Sequence, residues 1–193
     1  MELIGVFFVA CGLLALAGAA KAIRPDDTAR ALVLLFAGNA PWAPSIRRAR
    51  LAVRVGALLE AALGVAALLA PRPATAALVA ASYVLFTGVV LYARQRGGVL
   101  ATCGCFGRPD TPPTNLHVIL NLAFVAAAIA VAVHPPHASY LLEFLGHQPW
   151  LGFPLIFVSG VGVWLAYLAL SPLASLEGAR RLLQRPSAGT ARP

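Results

Sequence analysis

Charged residues are scarce in this chain. Only 11% of its 193 residues are Asp, Glu, Lys or Arg, whereas soluble domains carry about 25%. Hydrophobic residues make up 60%, and the mean hydropathy is +0.80. This composition excludes a soluble globular protein and indicates a chain whose solvent is lipid. We predict a membrane-embedded helical bundle over residues 1–172 and a basic, disordered C-terminal tail over residues 173–193.

Acidic residues are scarcer still, with 7 Asp and Glu against 15 Lys and Arg, for a net charge of +8. In a soluble protein this excess would favour nucleic-acid binding. Here the basic residues are not interleaved with aromatic residues. They lie between the apolar runs, where such residues orient a membrane protein and contact lipid head groups. We therefore expect the lipid bilayer as a partner, and no nucleic acid.

Five apolar runs have about the 20 residues that one membrane span requires. They cover residues 3–22, 51–70, 74–93, 115–133 and 151–170. The first lacks the basic start of a signal peptide, so we predict that it is an uncleaved helix. Pro71 and Pro73 separate the second and third runs, which predicts a tight turn between antiparallel helices. The fold class is therefore all-α, a polytopic transmembrane bundle of about five spans.

Two shorter segments are predicted to lie at the membrane surface. Residues 25–46 begin with Pro25 and two aspartates, a typical helix start, and their apolar stretch is too short to cross a bilayer. Trp42 is expected at the level of the lipid head groups. Residues 139–145 are predicted to form a second interfacial segment.

The basic residues are distributed unevenly between the two ends of such a bundle. With five spans, 14 of the 15 Lys and Arg residues fall at one end, and only Arg72 falls at the other. The positive-inside rule then places the N-terminus outside, and the tail and the loop between residues 93 and 115 in the cytoplasm. The prediction is a multi-pass protein of the cell membrane.

Cysteine is also rare, and two of the three cysteines lie one residue apart in this loop, as Cys103-Gly104-Cys105. A disulfide across one intervening residue is strained and therefore easily reduced. Arg108 and the amino end of the next helix would both stabilise a thiolate. These features favour a thiol–disulfide redox pair.

Two other interpretations of the cysteines stay open. Paired thiolates bind Cu(I) or Zn(II), and His117 is near enough in sequence to be a third ligand. The remaining ligands of such a soft-metal site are missing, so no metal ligands are assigned. Alternatively, Cys103 and Cys105 are unpaired residues of a glycine-containing turn. The third cysteine, Cys11, is predicted to be a small packing residue inside the first helix.

Glu60 lies in the middle of the second apolar run. A charged residue at the centre of a membrane helix costs about 2.5–3.5 kcal/mol, so Glu60 should face protein. Gly56 and Gly64 share its face and would allow a neighbouring helix to approach closely. The expected partners are Tyr83 and Thr87, or else Asn121. The role is either an interhelical hydrogen bond or a proton-handling or quinone-contacting function, which makes quinone a candidate cofactor.

These residues together resemble a known family. The matching positions, in order, are Gly18-Ala19-Ala20-Lys21, Pro25-Asp26, Glu60 to Gly64, Phe86-Thr87, Cys103 to Gly107, and Asn121. In this order and spacing, the chain resembles the MauE family of methylamine-utilisation membrane proteins, which are related to DoxX-like proteins. The family pattern has an aromatic residue and an arginine before the asparagine, where this chain has His117 and Leu120.

The resemblance implies a membrane protein needed for maturation of methylamine dehydrogenase, whose small subunit is rich in disulfides, acting beside a thioredoxin-like partner. By the same analogy Cys103 and Cys105 are the redox pair, and Lys21, Glu60 and Asn121 are the polar positions of the bundle. Exchange with exported proteins would place the cysteine loop outside the cell. The distribution of basic residues instead places that loop in the cytoplasm. Whether the protein is an enzyme is left open.

Overall fold

The computed structural model describes residues 3–36, 45–96, 115–136, 157, 159–166 and 168, and every regular element within them is helical. The helices are α1 (Ile4–Ile23), α2 (Asp26–Phe36), α3 (Ile46–Leu69), α4 (Pro73–Arg96) and α5 (Asn115–Val133). The predicted all-α fold class is confirmed.

Within the described ranges, four helices are long and apolar enough to cross a membrane, namely α1, α3, α4 and α5. Residues 159–166 are also helical and lie inside the fifth predicted span. They pack on α1, because added Cβ atoms at Gly12 and Gly162 would lie within 2.8 Å of Val163 and Val9, respectively. A bundle of about five spans is therefore confirmed. The predicted segment 139–145 and the tail 173–193 fall outside the described residues.

Helix α3 starts five residues before residue 51, the predicted start of the second apolar run. Helix α3 begins at Ile46, and the Ser45 side chain caps it by accepting a hydrogen bond from the Arg48 amide at 3.5 Å. Hydropathy marks only the part of a helix that lies in lipid. The exposed first turns of α3, which carry several arginines, extend the helix beyond the apolar run.

The first predicted surface segment, residues 25–46, is helical over part of its length. Helix α2 starts with Asp26 and Asp27, whose charges favour a helix N-terminus, and it has only 11 residues. It packs on α3, and an ion pair of 2.6 Å joins Asp26 Oδ1 to Arg50 Nε. Arg54 Nε donates to the Ala22 carbonyl at 3.3 Å. These contacts tie the α1–α2 turn to the start of α3.

Two glycines bring α1 and α3 into close contact. A Cβ atom on Gly18 would lie 2.6 Å from the Ala57 carbonyl oxygen and the Ala61 amide nitrogen. A Cβ atom on Gly64 would lie 2.7 Å from backbone atoms of Cys11 and Ala15. The contact that comes later along α1 comes earlier along α3, so the two helices are antiparallel.

The core lies where α1, α4 and α5 meet. The buried Tyr83 hydroxyl donates to the Ala10 carbonyl of α1 at 2.7 Å. Its ring packs on Phe124 of α5, with centroids 5.0 Å apart. Cys11 is fully buried in the same core, as expected of a packing residue.

The α3–α4 connection is the tight turn that the two prolines predicted. Pro71 is buried, and the Thr75 hydroxyl accepts from the Arg72 amide at 3.0 Å. At the other end of α4, Arg94 donates to the Asn115 side chain at the start of α5. Helices α4 and α5 are therefore antiparallel neighbours too.

This topology brings four helix termini together at what we call the basic end. It comprises the end of α1, the start of α3, the end of α4 and the start of α5. Nine of the ten Lys and Arg residues in the described part of the chain lie there or on α2, and the exception is Arg72 in the α3–α4 turn. The charge asymmetry that the sequence predicted is therefore a property of the folded bundle.

Candidate functional site

An ion pair joins α1 to α3 near the basic end. Lys21, in the last turn of α1, contacts the Glu60 carboxylate with its ammonium group, and their side chains are 9% and 23% exposed. The Lys21 ammonium also lies 5.0 Å from the ring centroid of Phe86, a distance that permits a cation–π interaction. The pair satisfies two charges that would be costly to leave alone in an apolar bundle.

Close helix packing positions this pair. Gly18 precedes Lys21 by one turn, and its α3 neighbours Ala57 and Ala61 flank Glu60. The two helix backbones therefore approach closely beside Glu60. Gly56, which was predicted to allow such an approach, does not take part, because a Cβ atom there would meet nothing within 4 Å.

The predicted partners of Glu60 were wrong. The Tyr83 hydroxyl binds Ala10, and the Thr87 hydroxyl donates to the Tyr83 carbonyl at 2.8 Å on its own helix. The actual partner, Lys21, is 39 residues away in sequence, so no helical spacing links the two. The sequence nevertheless contained one signal that Lys21 has a charged partner. Lys21 is the only lysine in the sequence, and it falls inside an apolar run where a charge needs a partner.

A cavity lies between α1, α4 and α5 beside the ion pair. Its empty space, including the open mouth, is about 540 Å³. Three aromatic rings line it, those of Tyr83, Phe86 and Phe124. Its aliphatic walls are Leu13, Leu14, Ala17 and Val90. The walls are thus largely apolar, with aromatic faces available for stacking.

Three polar side chains also line this cavity, those of Lys21, His117 and Asn121. His117 lies in the first turn of α5, and Asn121 follows one turn later, so both face the same side of that helix. They are only 4% and 8% exposed. The structure thus brings Lys21, Glu60, His117 and Asn121, predicted as supporting polar residues, to one region.

Cys103 and Cys105 lie outside the described residues. The helices that flank them in sequence end and begin at the basic end, where Arg94 binds Asn115. The described residues contain no group of three or more His, Cys, Asp or Glu side chains able to hold a metal ion. Both the redox and the soft-metal interpretations therefore stay predictions.

The fold and this site define a class, a multi-pass helical membrane protein with a partly buried ion pair beside a largely apolar cavity. A family model described as methylamine utilisation protein MauE matches residues 2–134. The chain belongs to the MauE family. Searches of curated proteins and of solved structures gave no significant match.

Proposed function

We propose that this MauE-family protein is a thiol–disulfide redox or maturation factor of the cell membrane. Its redox pair is Cys103 and Cys105, and its exchange partner is a thioredoxin-like membrane protein. It would support maturation of methylamine dehydrogenase or a related amine-metabolism or redox process. The observation that carries the proposal is the Cys103-Gly104-Cys105 sequence, which lies within the stretch that matches the family.

Two further observations support this role. The third cysteine, Cys11, is buried in the core, so it is not placed to exchange with a partner protein. The cysteine pair lies between α4 and α5, whose adjoining ends are both at the basic end. The cysteine pair is therefore close in sequence to the end of α4 and the start of α5, where a membrane partner protein would contact it.

The positive-inside rule favours the cytoplasm for the basic end. We therefore place the thiol pair and its thioredoxin-like partner on the cytoplasmic side in this proposal. Action on exported subunits would then require transfer of electrons across the membrane by a partner, instead of direct exchange with the subunit.

A trapping experiment tests the exchange reaction. In a Cys11→Ser background, changing only Cys103 or only Cys105 to serine leaves one thiol that cannot be resolved by its neighbour. A mixed disulfide with the partner should then accumulate as a reducible band on a non-reducing gel. The matched control is the protein in which all three cysteines are serine.

The outcomes separate the competing interpretations. A band present in either single-thiol variant and absent from the control supports redox exchange. Binding of Cu(I) or Zn(II) near one equivalent, lost on either substitution and without a mixed disulfide, would replace it with the soft-metal function. Thiols that stay reduced, with neither metal nor partner, would leave the cysteines as part of a turn.

A further inference from the structure

We infer that the cavity between α1, α4 and α5 binds the head group of a neutral, lipid-soluble quinone. The cavity is open at its mouth and has largely apolar walls. The rings of Tyr83, Phe86 and Phe124 offer flat apolar surfaces for an aromatic-sized ring.

The charges at the cavity favour a neutral ligand over an anion. Lys21 is the cation that lines the cavity, and its charge is balanced by Glu60. An anionic head group would compete with the Glu60 carboxylate for the same ammonium group. A neutral carbonyl oxygen can accept a hydrogen bond from the ammonium group, which has three donors, without breaking the ion pair.

Asn121 supplies the second polar contact. Its side chain lines the cavity, and the residue is more than nine-tenths buried. Small-molecule sites combine apolar walls with a few polar groups that orient the ligand, and the Asn121 amide has that position in this cavity. An amide both donates and accepts, so Asn121 can bind a quinone oxygen or a quinol hydroxyl equally.

The position of the cavity suits a ligand that arrives through the bilayer. It lies between membrane-spanning helices, near the end of α1 and the start of α5. Neighbouring residues on the outer faces of these helices are exposed and apolar, among them Leu16, Val89 and Ile119. A quinone dissolved in lipid can therefore reach the protein without crossing water.

A quinone at this site would complete the chemistry of the proposed function, and for this step the inference rests on that function. Oxidation of two thiols to one disulfide releases two electrons and two protons. The quinone accepts both electrons and both protons and leaves as the quinol. Binding itself depends only on the cavity, so it is testable without any cysteine.

The test is equilibrium binding of decylubiquinone to the detergent-solubilised full-length protein in which all three cysteines are serine. Saturable binding is expected. Asn121→Leu removes the amide at similar volume, and Ala17→Leu fills the cavity. Each should weaken binding about tenfold or more. The matched control is Ala19→Leu on the exposed face of α1, which should leave the affinity unchanged.

Oleate, an anionic amphiphile, serves as the competing ligand. Saturable quinone binding that Ala17→Leu and Asn121→Leu weaken, while oleate binds poorly, supports the inference. Three results would overturn it: no saturable quinone binding, equal affinity in all variants, or preferential binding of oleate. The variant used for the binding experiment lacks cysteines, so failure to bind quinone is independent of the mixed-disulfide experiment. Failure to form a mixed disulfide likewise leaves the binding result intact.

Discussion

At the scale of single residues, the Lys21–Glu60 pair was only partly predictable from the sequence. The sequence predicted correctly that Glu60 faces protein, because an acidic residue in the middle of an apolar run cannot face lipid cheaply. It did not identify Lys21 as the partner, since the contact depends on the register in which α1 and α3 cross. Gly18 lies at the close contact between the two helices, but in the sequence it stood out only as one of the positions that match the family.

The pair predicts an asymmetry between single and double substitutions. Lys21→Met leaves a largely buried carboxylate without its cation, which costs about 3 kcal/mol for a fully buried pair and less here, because Glu60 is 23% exposed. Lys21→Met combined with Glu60→Leu removes both charges and should recover most of the loss. Thermal unfolding of the detergent-solubilised variants measures this difference.

The control for that experiment is Arg30→Met. Arg30 is 66% exposed and lies 3.7 Å from Asp27 on α2, so its loss should cost less than about 1 kcal/mol. If Lys21→Met proved as mild as Arg30→Met, Glu60 would be accommodated by water, and the pair would not stabilise the bundle.

At the scale of helices, hydropathy predicted which segments span the membrane, and α1, α4 and α5 lie close to the predicted bounds. It missed the first turns of α3, because those turns carry arginines and lie outside the apolar run. Glycine spacing was an incomplete guide to packing. Gly64 contacts α1 as expected, but Gly56 does not, since helix contacts depend on the neighbour as well as on the spacing.

The two α1–α3 contacts give a matched pair of glycine substitutions. Gly18→Ala places a Cβ atom 2.6 Å from α3 backbone atoms, which cannot move aside as a side chain would. The helices must separate, so Gly18→Ala should lower the melting temperature and weaken the Lys21–Glu60 contact. In Gly56→Ala the new methyl group meets nothing within 4 Å, and alanine favours a helix by about 1 kcal/mol over glycine.

The measurement is again thermal unfolding, with both variants in the same detergent. Gly18→Ala should be clearly less stable than the unchanged protein, whereas Gly56→Ala should be equal or slightly more stable. Equal melting temperatures for the two variants would mean that α1 and α3 do not pack in the described register.

At the scale of the whole molecule, the antiparallel topology collects the basic residues at one end, and this predicts an orientation. In a protein without native cysteines, Ala74→Cys places a thiol beside Arg72, and Ser45→Cys places one at the start of α3. Ala74→Cys should react with an impermeant maleimide in intact cells, whereas Ser45→Cys should react only after permeabilisation. The reverse pattern would move the basic end, and the proposed redox pair, to the outside.

The fold class, the family and most of the span bounds were predictable, because apolar length is written directly in the sequence. The cavity was not, since it arises where residues of three helices meet. Sequence analysis singled out five of its lining residues, but each for another reason and none as part of a cavity: Lys21, Tyr83, Phe86, His117 and Asn121. The chemistry of Cys103 and Cys105 stays a prediction from their spacing and from the family resemblance.

The most direct test of the central claim is the redox state of Cys103 and Cys105 in membranes. The Cys11→Ser protein is reduced with a pulse of dithiothreitol, washed, and sampled over time by acid quenching and tagging of free thiols with a maleimide of high mass. The account predicts two tagged thiols immediately after the pulse and none after reoxidation in the native membrane. Two tagged thiols at every time point, in membranes that still contain their quinone and the thioredoxin-like partner, would contradict it.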